Sequence, residues 1–315
     1  EAFGRKWGVS GLYRDYAQML AREALDIVCI ATHPEQHHEQ VLAAVEGGAK
    51  AIFCEKPMAV SLAECDEMIA ACRDANTLLV INHSRRWDPT FRKAKDLVDS
   101  GAIGRLLTMI SHCEGVKPYP AWRAEEEGPL LHDATHSFDL FRLYAGDAAW
   151  VMGTAVRRMR SFPVEDESMS IVTFRNGVTG VAIVNELTEF HQFDLELIGT
   201  HGKIVLGMGE RQLWGAERAS TRDAGVDPNI EWQDLVPRPF PEVLPCTPME
   251  AAVEDVVRCL ETGDEPRSTG EDGRAAIEMI MAIYECERRG HGKVDLPLPG
   301  GPSTLYLMRE EGYYS

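Results

Sequence analysis

The sequence is poor in basic residues relative to acidic ones, with 32 Lys and Arg against 50 Asp and Glu and a formal net charge of −18. Nucleic-acid backbones and anionic membrane surfaces attract clustered Lys and Arg, so this charge balance predicts neither kind of partner. The chain also lacks an apolar run long enough to span a bilayer and a recognisable signal peptide. We therefore expect the partner to be a small molecule.

Cysteine motifs are missing as well. The eight cysteines form no C-x-x-C pair, and none has the Cys/His spacing of a zinc site. Disulfide frameworks are typical of oxidising compartments, whereas scattered thiols in apolar and helical contexts are typical of a reducing one. These patterns predict a cytoplasmic protein with reduced thiols and no bound metal.

With 315 residues, 44% of them apolar and 26% charged, the chain has the composition of a globular protein of roughly two domains. In the first hundred residues, short apolar runs alternate with amphipathic helical stretches, which is typical of βα units and a parallel sheet. The predicted strands are 26–32, 51–54 and 78–81. A helix after Pro89 that ends at Gly101 and Gly104 predicts the boundary between domains 1–104 and 105–315.

Beyond that boundary, strand-like segments follow one another without intervening helices, which predicts an α+β domain with a mostly antiparallel open sheet. The segments are 106–113, 150–156, 169–174, 178–184 and 193–198. Predicted helices cover about 130–144, a segment from Pro248 to about 262, and about 271–290; Thr247 to Glu250 reads as a capping box. The polar, proline-rich stretch 216–245 is predicted to be a long surface loop.

Glu55-Lys56-Pro57 closes the predicted strand 51–54, and Ser61 to Glu64 then reads as a capping box for the next helix. Lys56 therefore lies in a short turn at the carboxyl edge of a parallel sheet, where open α/β folds bind their ligands. A solvated turn lysine is the alternative interpretation. The location favours a functional one.

A second group of ionisable residues lies in the predicted helix 130–144. His132 and His136 are spaced i, i+4, and Asp133 and His136 are spaced i, i+3. On an α-helix, one face would present two imidazoles and a carboxylate. Gly128-Pro129 leads into this segment. Histidines that serve only the helix surface or core are the alternative.

Together these motifs resemble the Gfo/Idh/MocA oxidoreductases, which use NAD(P) on sugars, inositols and related polyols. The resemblance covers the chain from Glu1 to about Leu298 and implies a Rossmann-type N-terminal domain and hydride transfer to or from a secondary hydroxyl. It rests on Ala31-Thr32 with His37 five residues after the threonine, Glu55-Lys56-Pro57, Arg86 followed by Trp87 and Pro89, and the segment from Gly128 to Leu140.

The resemblance implies catalytic roles for Lys56 and His136, because the corresponding family residues lie beside the nicotinamide and the reacting hydroxyl. Alcohol oxidation needs a base that is active near neutrality and a donor that stabilises a developing alkoxide, and imidazole and ammonium suit these roles. Many family members have an aspartate four residues before the catalytic histidine, whereas His132 occupies that position here. We expect His132 to contact the substrate or act as an auxiliary base, with Asp133 as second choice.

The cofactor implied is NAD or NADP, bound along the loop after strand 26–32 and the start of the next helix. The candidate contacts are Thr32, His33, Pro34, His37, Glu55, Lys56 and Arg86. A helix-surface role for His37 and a plain surface role for Arg86 are the alternatives. Trp122 and Arg123 lie where a sugar ring could be contacted, although ordinary packing is the simpler role for the tryptophan.

The family's G-x-G-x-x-G fingerprint follows no strand of this sequence. Since the chain opens with Glu1 inside a predicted helix, we expect the first βαβ unit, roughly 30 or more residues, to be absent from it. The acidic residue that separates NAD from NADP would be absent with that unit, and dinucleotide binding would be poor.

Two other functions fit the same fold: an NAD-using glycosidase, and a non-catalytic ligand-sensing regulator. Retention of both Lys56 and His136 argues against the regulator, because a sensor need not keep proton-transfer groups. The family resemblance also implies a homodimer or homotetramer.

Overall fold

A computed structural model of the chain describes residues 2–115, 127–159, 161–218 and 233–315. The helices are α1 (Ala2–Trp7), α2 (Tyr16–Arg22), α3 (Pro34–Glu46), α4 (Leu62–Asp74), α5 (Pro89–Asp99), α6 (Thr135–Ala145), α7 (Pro248–Thr262), α8 (Gly270–Arg288) and α9 (Thr304–Glu310). A 3₁₀ turn (Ser84–Arg86) precedes α5, and a π-helical turn (Leu130–Ala134) precedes α6. Within these ranges, no helix has both the length and the apolarity needed to cross a membrane.

The strands of the first sheet are β1 (Ile27–Ile30), β2 (Ala51–Cys54) and β3 (Leu78–Ile81). The others are β4 (Leu106–Glu114), β5 (Ala148–Val156), β6 (Glu167–Phe174), β7 (Thr179–Asn185), β8 (Gln192–Gly199), β9 (Gly202–Leu206), β10 (Arg211–Arg218), β11 (Gln233–Arg238) and β12 (Val294–Asp295).

Strands β1, β2 and β3 form a parallel sheet in that order. All of β2 is buried, because α3 and α4 pack on one side of the sheet and α7 on the other. Near-continuous apolar sequence is what a strand covered on both faces requires. The three strands end in register, with Ile30 beside Cys54 and Cys54 beside Ile81. The residues that follow them therefore meet at one carboxyl edge.

The second sheet has nine strands in the order β11-β10-β9-β8-β4-β7-β6-β5-β12. Among the pairings described within this second sheet, β4 with β7 is parallel and the others are antiparallel. Burial alternates along β6, β7 and β8, as expected for strands with one packed face. The packed face meets α6 and α8, and one continuous apolar core links it to the first sheet. This core fixes α6 against the carboxyl edge of β1 to β3.

The predicted fold class, a parallel α/β sheet joined to a mostly antiparallel sheet, is confirmed. The predicted surface loop 216–245 is wrong in part, because β10 and β11 extend into it and pair antiparallel. Strand β10 pairs with β9, and β11 pairs with β10. Composition does not reveal these strand partners, so the polar segments were not predicted as strands. Thr247 does precede α7, but its hydroxyl bonds the Glu250 carboxylate and makes no hydrogen bond to the helix backbone, so the capping box predicted there is wrong.

Candidate active site

The Glu55-Lys56-Pro57 turn follows β2 and is held by polar contacts on both sides. The Lys56 ammonium donates a hydrogen bond of 2.7 Å to the carbonyl oxygen of His132. The Glu55 carboxylate accepts from Asn82 Nδ2 at 2.6 Å and from the Lys56 backbone N–H at 3.2 Å. These contacts tie the end of β2 to the end of β3 and to the π-helical turn. Lys56 is thereby oriented toward the segment that carries the predicted histidines.

His37 lies beneath this turn and is fully buried. Its Nδ1 is 3.0 Å from the carbonyl oxygen of Pro57, and its Nε2 is 3.3 Å from that of Thr32. Burial lowers the pKa of His37, despite the backbone hydrogen bonds that oppose this shift. The alternative of a helix-surface histidine is therefore wrong. These contacts favour support of the Lys56 turn over the direct cofactor contact predicted for His37.

His132 lies in the π-helical turn, between two carboxylates. Its Nδ1 is 3.1 Å from Glu127 Oε2, and its Nε2 is 3.9 Å from Asp133 Oδ1. A π-helical turn replaces the i to i+4 hydrogen bonds with i to i+5 bonds. The predicted α-helix over 130–144 is thus wrong in its first turn, because the α-helix begins at Thr135.

His136 lies in the first turn of α6, and its ring centre is 6.3 Å from that of His83. Its Nδ1 is buried without a hydrogen-bond partner among residues 2–115, 127–159, 161–218 and 233–315. Burial, together with the positive charges of Arg85 and Lys56, holds the pKa of His136 well below the usual value for histidine. The imidazole is therefore neutral near pH 7 and can accept a proton.

Asp139, one turn after His136, is almost fully buried between the side chains of Arg86 and His83. Arg86 Nε lies 2.9 and 3.0 Å from the two Asp139 oxygens, and His83 Nδ1 lies 3.1 Å from one of them. Arg86 Nη1 also donates to Asp272 at the start of α8, at 3.0 Å. Arg86 thus braces α6 and α8 against the end of β3. These contacts favour a structural role over the predicted cofactor contact.

Sequence reasoning missed three residues of this region: Glu127, His83 and Arg85. The Arg85 guanidinium lies 3.7 Å from the ring centre of Phe193 on β8, and burial lowers its pKa. His83 follows β3 as Lys56 follows β2, so the carboxyl-edge rule that selected Lys56 would also have found it. Glu127 had no comparable signal, because its contact with His132 depends on the π-helical turn.

Thr32 and His33 lie between β1 and α3, next to the Lys56 turn at the same edge. Thr32 is exposed and its hydroxyl donates to Gln40 at 2.8 Å, whereas His33 is half-buried at the N-cap of α3 and Pro34 is buried. Exposed polar groups beside a helix N-terminus suit a phosphate-bearing ligand. Trp122 and Arg123 lie outside the described residues.

The Asn82 side chain is suited to bind a cofactor with amide or ribose groups at the carboxyl edge of the first sheet. It is buried beside Glu55, and its Oδ1 has no hydrogen-bond partner in the described ranges. An orphaned acceptor, a carboxylate and an ammonium at the end of adjacent parallel strands match the polar end of a dinucleotide. No group of three or more described His, Cys, Asp or Glu residues is arranged to hold a metal ion.

Two family models match the chain. One, described as an oxidoreductase family with an NAD-binding Rossmann fold, matches residues 1–83. The other, the GFO/IDH/MocA C-terminal domain, matches residues 91–205. The two matches correspond to the parallel sheet and to most of the second sheet.

Named relatives and solved structures extend this likeness over nearly the whole chain. D-Apiose dehydrogenase of Paraburkholderia graminis is 29% identical over 304 residues, covering 92% of this chain and 78% of the relative. Myo-inositol 2-dehydrogenase of Thermotoga maritima is 26% identical over 290 residues, covering 86% and 80%. The structure of levoglucosan dehydrogenase with NADH and levoglucosan superposes with a TM-score of 0.78 at 23% identity, covering 94% of this chain and 86% of that one.

Proposed function

The chain belongs to the Gfo/Idh/MocA family of oxidoreductases, and on that premise we propose that it transfers a hydride between NAD or NADP and a secondary hydroxyl of a sugar, inositol or related polyol. The observation that carries this proposal is the presence of two groups near each other: the ammonium of Lys56, held by the His132 carbonyl, and the imidazole of His136. Burial and nearby positive charges, including that of Lys56, lower the pKa of His136. A dehydrogenase site needs both a proton acceptor and a donor to the reacting oxygen.

In the proposed reaction, His136 accepts the proton of the substrate hydroxyl, because its imidazole is neutral near pH 7. Lys56 donates a hydrogen bond to the same oxygen as negative charge develops on it. The carbonyl of His132 accepts a hydrogen bond from the ammonium at 2.7 Å and so fixes where Lys56 lies in the proposed site. The dinucleotide, when bound, supplies the hydride acceptor.

His132 is proposed to contact the substrate, with Asp133 as second choice. Both side chains are partly exposed, at 28% and 31%, whereas Glu127 beside His132 is only 4% exposed. A buried carboxylate that contacts Nδ1 favours a proton on that nitrogen and leaves Nε2 as the acceptor. His132 then suits the recognition of a substrate hydroxyl, which can donate to Nε2.

For the cofactor, we propose that Thr32, His33, Glu55 and Lys56 make contacts from the carboxyl edge. Pro34, His37 and Arg86 act less directly, because they are buried and shape the loops that present those contacts. We also propose that the chain divides into two domains, 1–104 and 105–315.

A homodimer or homotetramer is also proposed, paired through the open face of the second sheet. Met152, Ile171, Val181 and Ile110 lie side by side on this face across four adjacent strands. Met152 and Ile171 are 38% and 44% exposed, which is unusual for large apolar side chains on a central sheet. A cytoplasmic location is proposed because all eight cysteines are unpaired thiols.

The test is a substrate panel with the complete gene product. Aldoses, inositols and anhydro sugars are supplied with NAD and with NADP, and formation of reduced nicotinamide is followed together with the carbonyl product. We expect stoichiometric reduced cofactor and ketone or lactone with at least one compound. Glycoside cleavage without net cofactor reduction would indicate the glycosidase instead, and binding without any chemistry would indicate the regulator.

A further inference from the structure

A buried carboxyl group, that of Glu165, lies behind the π-helical turn and outside the set of residues assigned so far. Its side chain is only 1% exposed. One oxygen, Oε1, accepts the backbone N–H of Leu130 at 3.0 Å and the hydroxyl of Tyr284 on α8 at 2.9 Å. The other oxygen, Oε2, is buried without a partner in the part of the chain that the structure describes.

The entry to the π-helical turn is shaped around this carboxyl. A Cβ atom added to Gly128 would lie 2.0 Å from Glu165 Oε1, so no side chain fits at position 128 while the carboxyl is in place. Leu130, whose N–H is bonded by Glu165, is the first residue of the turn. The carboxyl therefore fixes both the approach to the turn and its first N–H.

The turn that Glu165 fixes carries the acceptor for Lys56. His132 is two residues after Leu130, and its carbonyl oxygen receives the Lys56 ammonium at 2.7 Å. Its imidazole contacts Glu127, and α6 with His136 begins directly after the turn. A shift of Leu130 would thus move the partner of Lys56 and the start of the helix that carries the proposed base. Displacements of about 1 Å are enough to lower turnover by about 10²-fold.

We propose that Glu165 is a positioning residue for the hydride-transfer site, whose carboxylate holds the turn at residues 130–134 and through it the Lys56 ammonium. This inference rests on the proposed function only for its effect on turnover. Glu165 touches neither substrate nor cofactor in this proposal. Its influence passes through Leu130 and the carbonyl of His132.

The surroundings of Glu165 make its charge titrate in a measurable range. Burial, with a further contribution from the negative charge of Glu186 after β7, raises the pKa of Glu165 to about 7, although the bonds from Leu130 and Tyr284 oppose the shift. Two further ionisable residues, Arg309 on α9 and Tyr314 after it, also face the pair formed by Glu165 and Tyr284. A charged acceptor bonds about twice as strongly as a neutral one, so ionisation tightens the hold on the turn.

The proposal predicts that an inflection near pH 7 in the oxidation rate belongs to Glu165 and not to His136, whose pKa lies well below its usual value. Glu165→Gln should remove the inflection and lower kcat at pH 8 by about tenfold, the loss of roughly one hydrogen bond to a charged group, with a smaller change in KM. A residue that only stabilised the fold would change kcat without altering the pH profile.

Two neighbouring variants should move the inflection in opposite directions. Glu186→Gln removes a negative charge that raises the pKa of Glu165, so the inflection should move to lower pH. Tyr284→Phe removes a hydrogen bond that lowers this pKa, so the inflection should move to higher pH. These variants keep the carboxyl itself and therefore also test the proposal if Glu165→Gln does not fold.

Two readouts do not depend on turnover. Difference infrared spectra of the complete gene product should show a protonated carboxyl that titrates near pH 7 and is missing in Glu165→Gln. Acylation of Lys56, followed by mass spectrometry, should be faster in Glu165→Gln because the carbonyl contact is loosened. If no substrate is oxidised but both readouts agree, the proposed function fails and the positioning role stands. An unchanged Lys56 reactivity, or an inflection that all three variants leave in place, overturns the positioning role.

Discussion

The Lys56 ammonium lies 2.7 Å from the carbonyl oxygen of His132, a residue 76 positions further along the chain. This contact joins the end of a strand in the parallel sheet to the turn that precedes α6. The hydrogen bond to this carbonyl fixes where the ammonium lies at the carboxyl edge of the sheet. The contact therefore explains how two distant motifs form one site.

Replacing Lys56 by Met should lower kcat by about 10²- to 10³-fold, because Met keeps the length of the side chain and removes the donor to the developing alkoxide. Steady-state assays of the substrate found in the panel would measure this loss. Lys50→Met is the matched control, since Lys50 is an exposed lysine that pairs with Asp26 at 2.7 Å. Equal activity of the two variants would remove Lys56 from the proposed site.

Replacing His136 by Asn should lower kcat by about 10²- to 10⁴-fold, the usual contribution of a general base. Because the pKa of His136 is held well below its usual value, its protonation should not slow oxidation between pH 8 and 6.5. The pH profile is best measured in the Glu165→Gln background, where the inflection near pH 7 that we assign to Glu165 is removed. His38→Gln is the control, as His38 pairs with Glu67 on the surface. A midpoint near 6.5 that follows His136 would contradict the proposed environment of the ring.

Stability should fall as the pH rises, in a way that depends on Glu165. Its folded-state pKa is raised from 4.5 to about 7, so the folded state binds the proton more tightly than the unfolded state does. The contribution of Glu165 to the free energy of unfolding should therefore be largest below about pH 4.5. It should decrease by roughly 3 kcal/mol as the pH rises from there through the folded-state pKa of about 7. Urea unfolding at several pH values should show this decrease in the wild type and not in Glu165→Gln. Identical pH dependence in both proteins would rule out the raised pKa.

Replacing Asp139 by Asn should destabilise the protein by roughly 1.5–3 kcal/mol, because the buried Arg86 loses one of its two carboxylate partners and keeps the other, Asp272. Asp96→Asn breaks the exposed pair with Lys93 and should cost less than about 1 kcal/mol. Urea midpoints at constant m-value compare the two. An effect of Asp139→Asn as small as that of Asp96→Asn would show that the contact between Arg86 and Asp139 contributes little, and the role of Arg86 as a brace for α6 would be wrong.

Replacing Ile171 by Asp should shift the assembly toward the monomer, because a charge would be placed in the middle of the exposed apolar face. Analytical ultracentrifugation of the complete gene product would detect the shift. Met208→Asp, which changes an exposed residue of the turn between β9 and β10, serves as the control. An unchanged assembly in Ile171→Asp would place the interface elsewhere.

Sequence alone predicted the elements whose signals are local. Strands β1, β2 and β3 are continuous apolar runs, and the turn after β2 carried its own motif. Strands β10 and β11 escaped prediction because their polar residues become strand only by pairing with β9 and with each other. Their strand conformation depends on pairing with a neighbouring strand and not on a periodic pattern of apolar residues.

The same distinction applies to the site. Lys56 and His136 were proposed from their motifs, whereas Glu165 lies 35 positions from Leu130 and its contact depends on tertiary packing. The π-helical turn also leaves no trace in a hydrophobic pattern, because the residues it adds are few. Arg86 and His37 were selected for the correct region, but their burial, which only the folded structure gives, favours structural roles.

The central claim is that this site moves a hydride from a polyol carbon while His136 takes the hydroxyl proton. The most direct test is a single turnover of the complete gene product with a substrate deuterated at the reacting carbon, in the wild type and in His136→Asn. We predict that deuterium is recovered in the reduced nicotinamide with the wild type, and that His136→Asn binds the cofactor but transfers deuterium at least about 10²-fold more slowly. Reduced cofactor free of deuterium, or transfer at the wild-type rate in His136→Asn, would contradict the account.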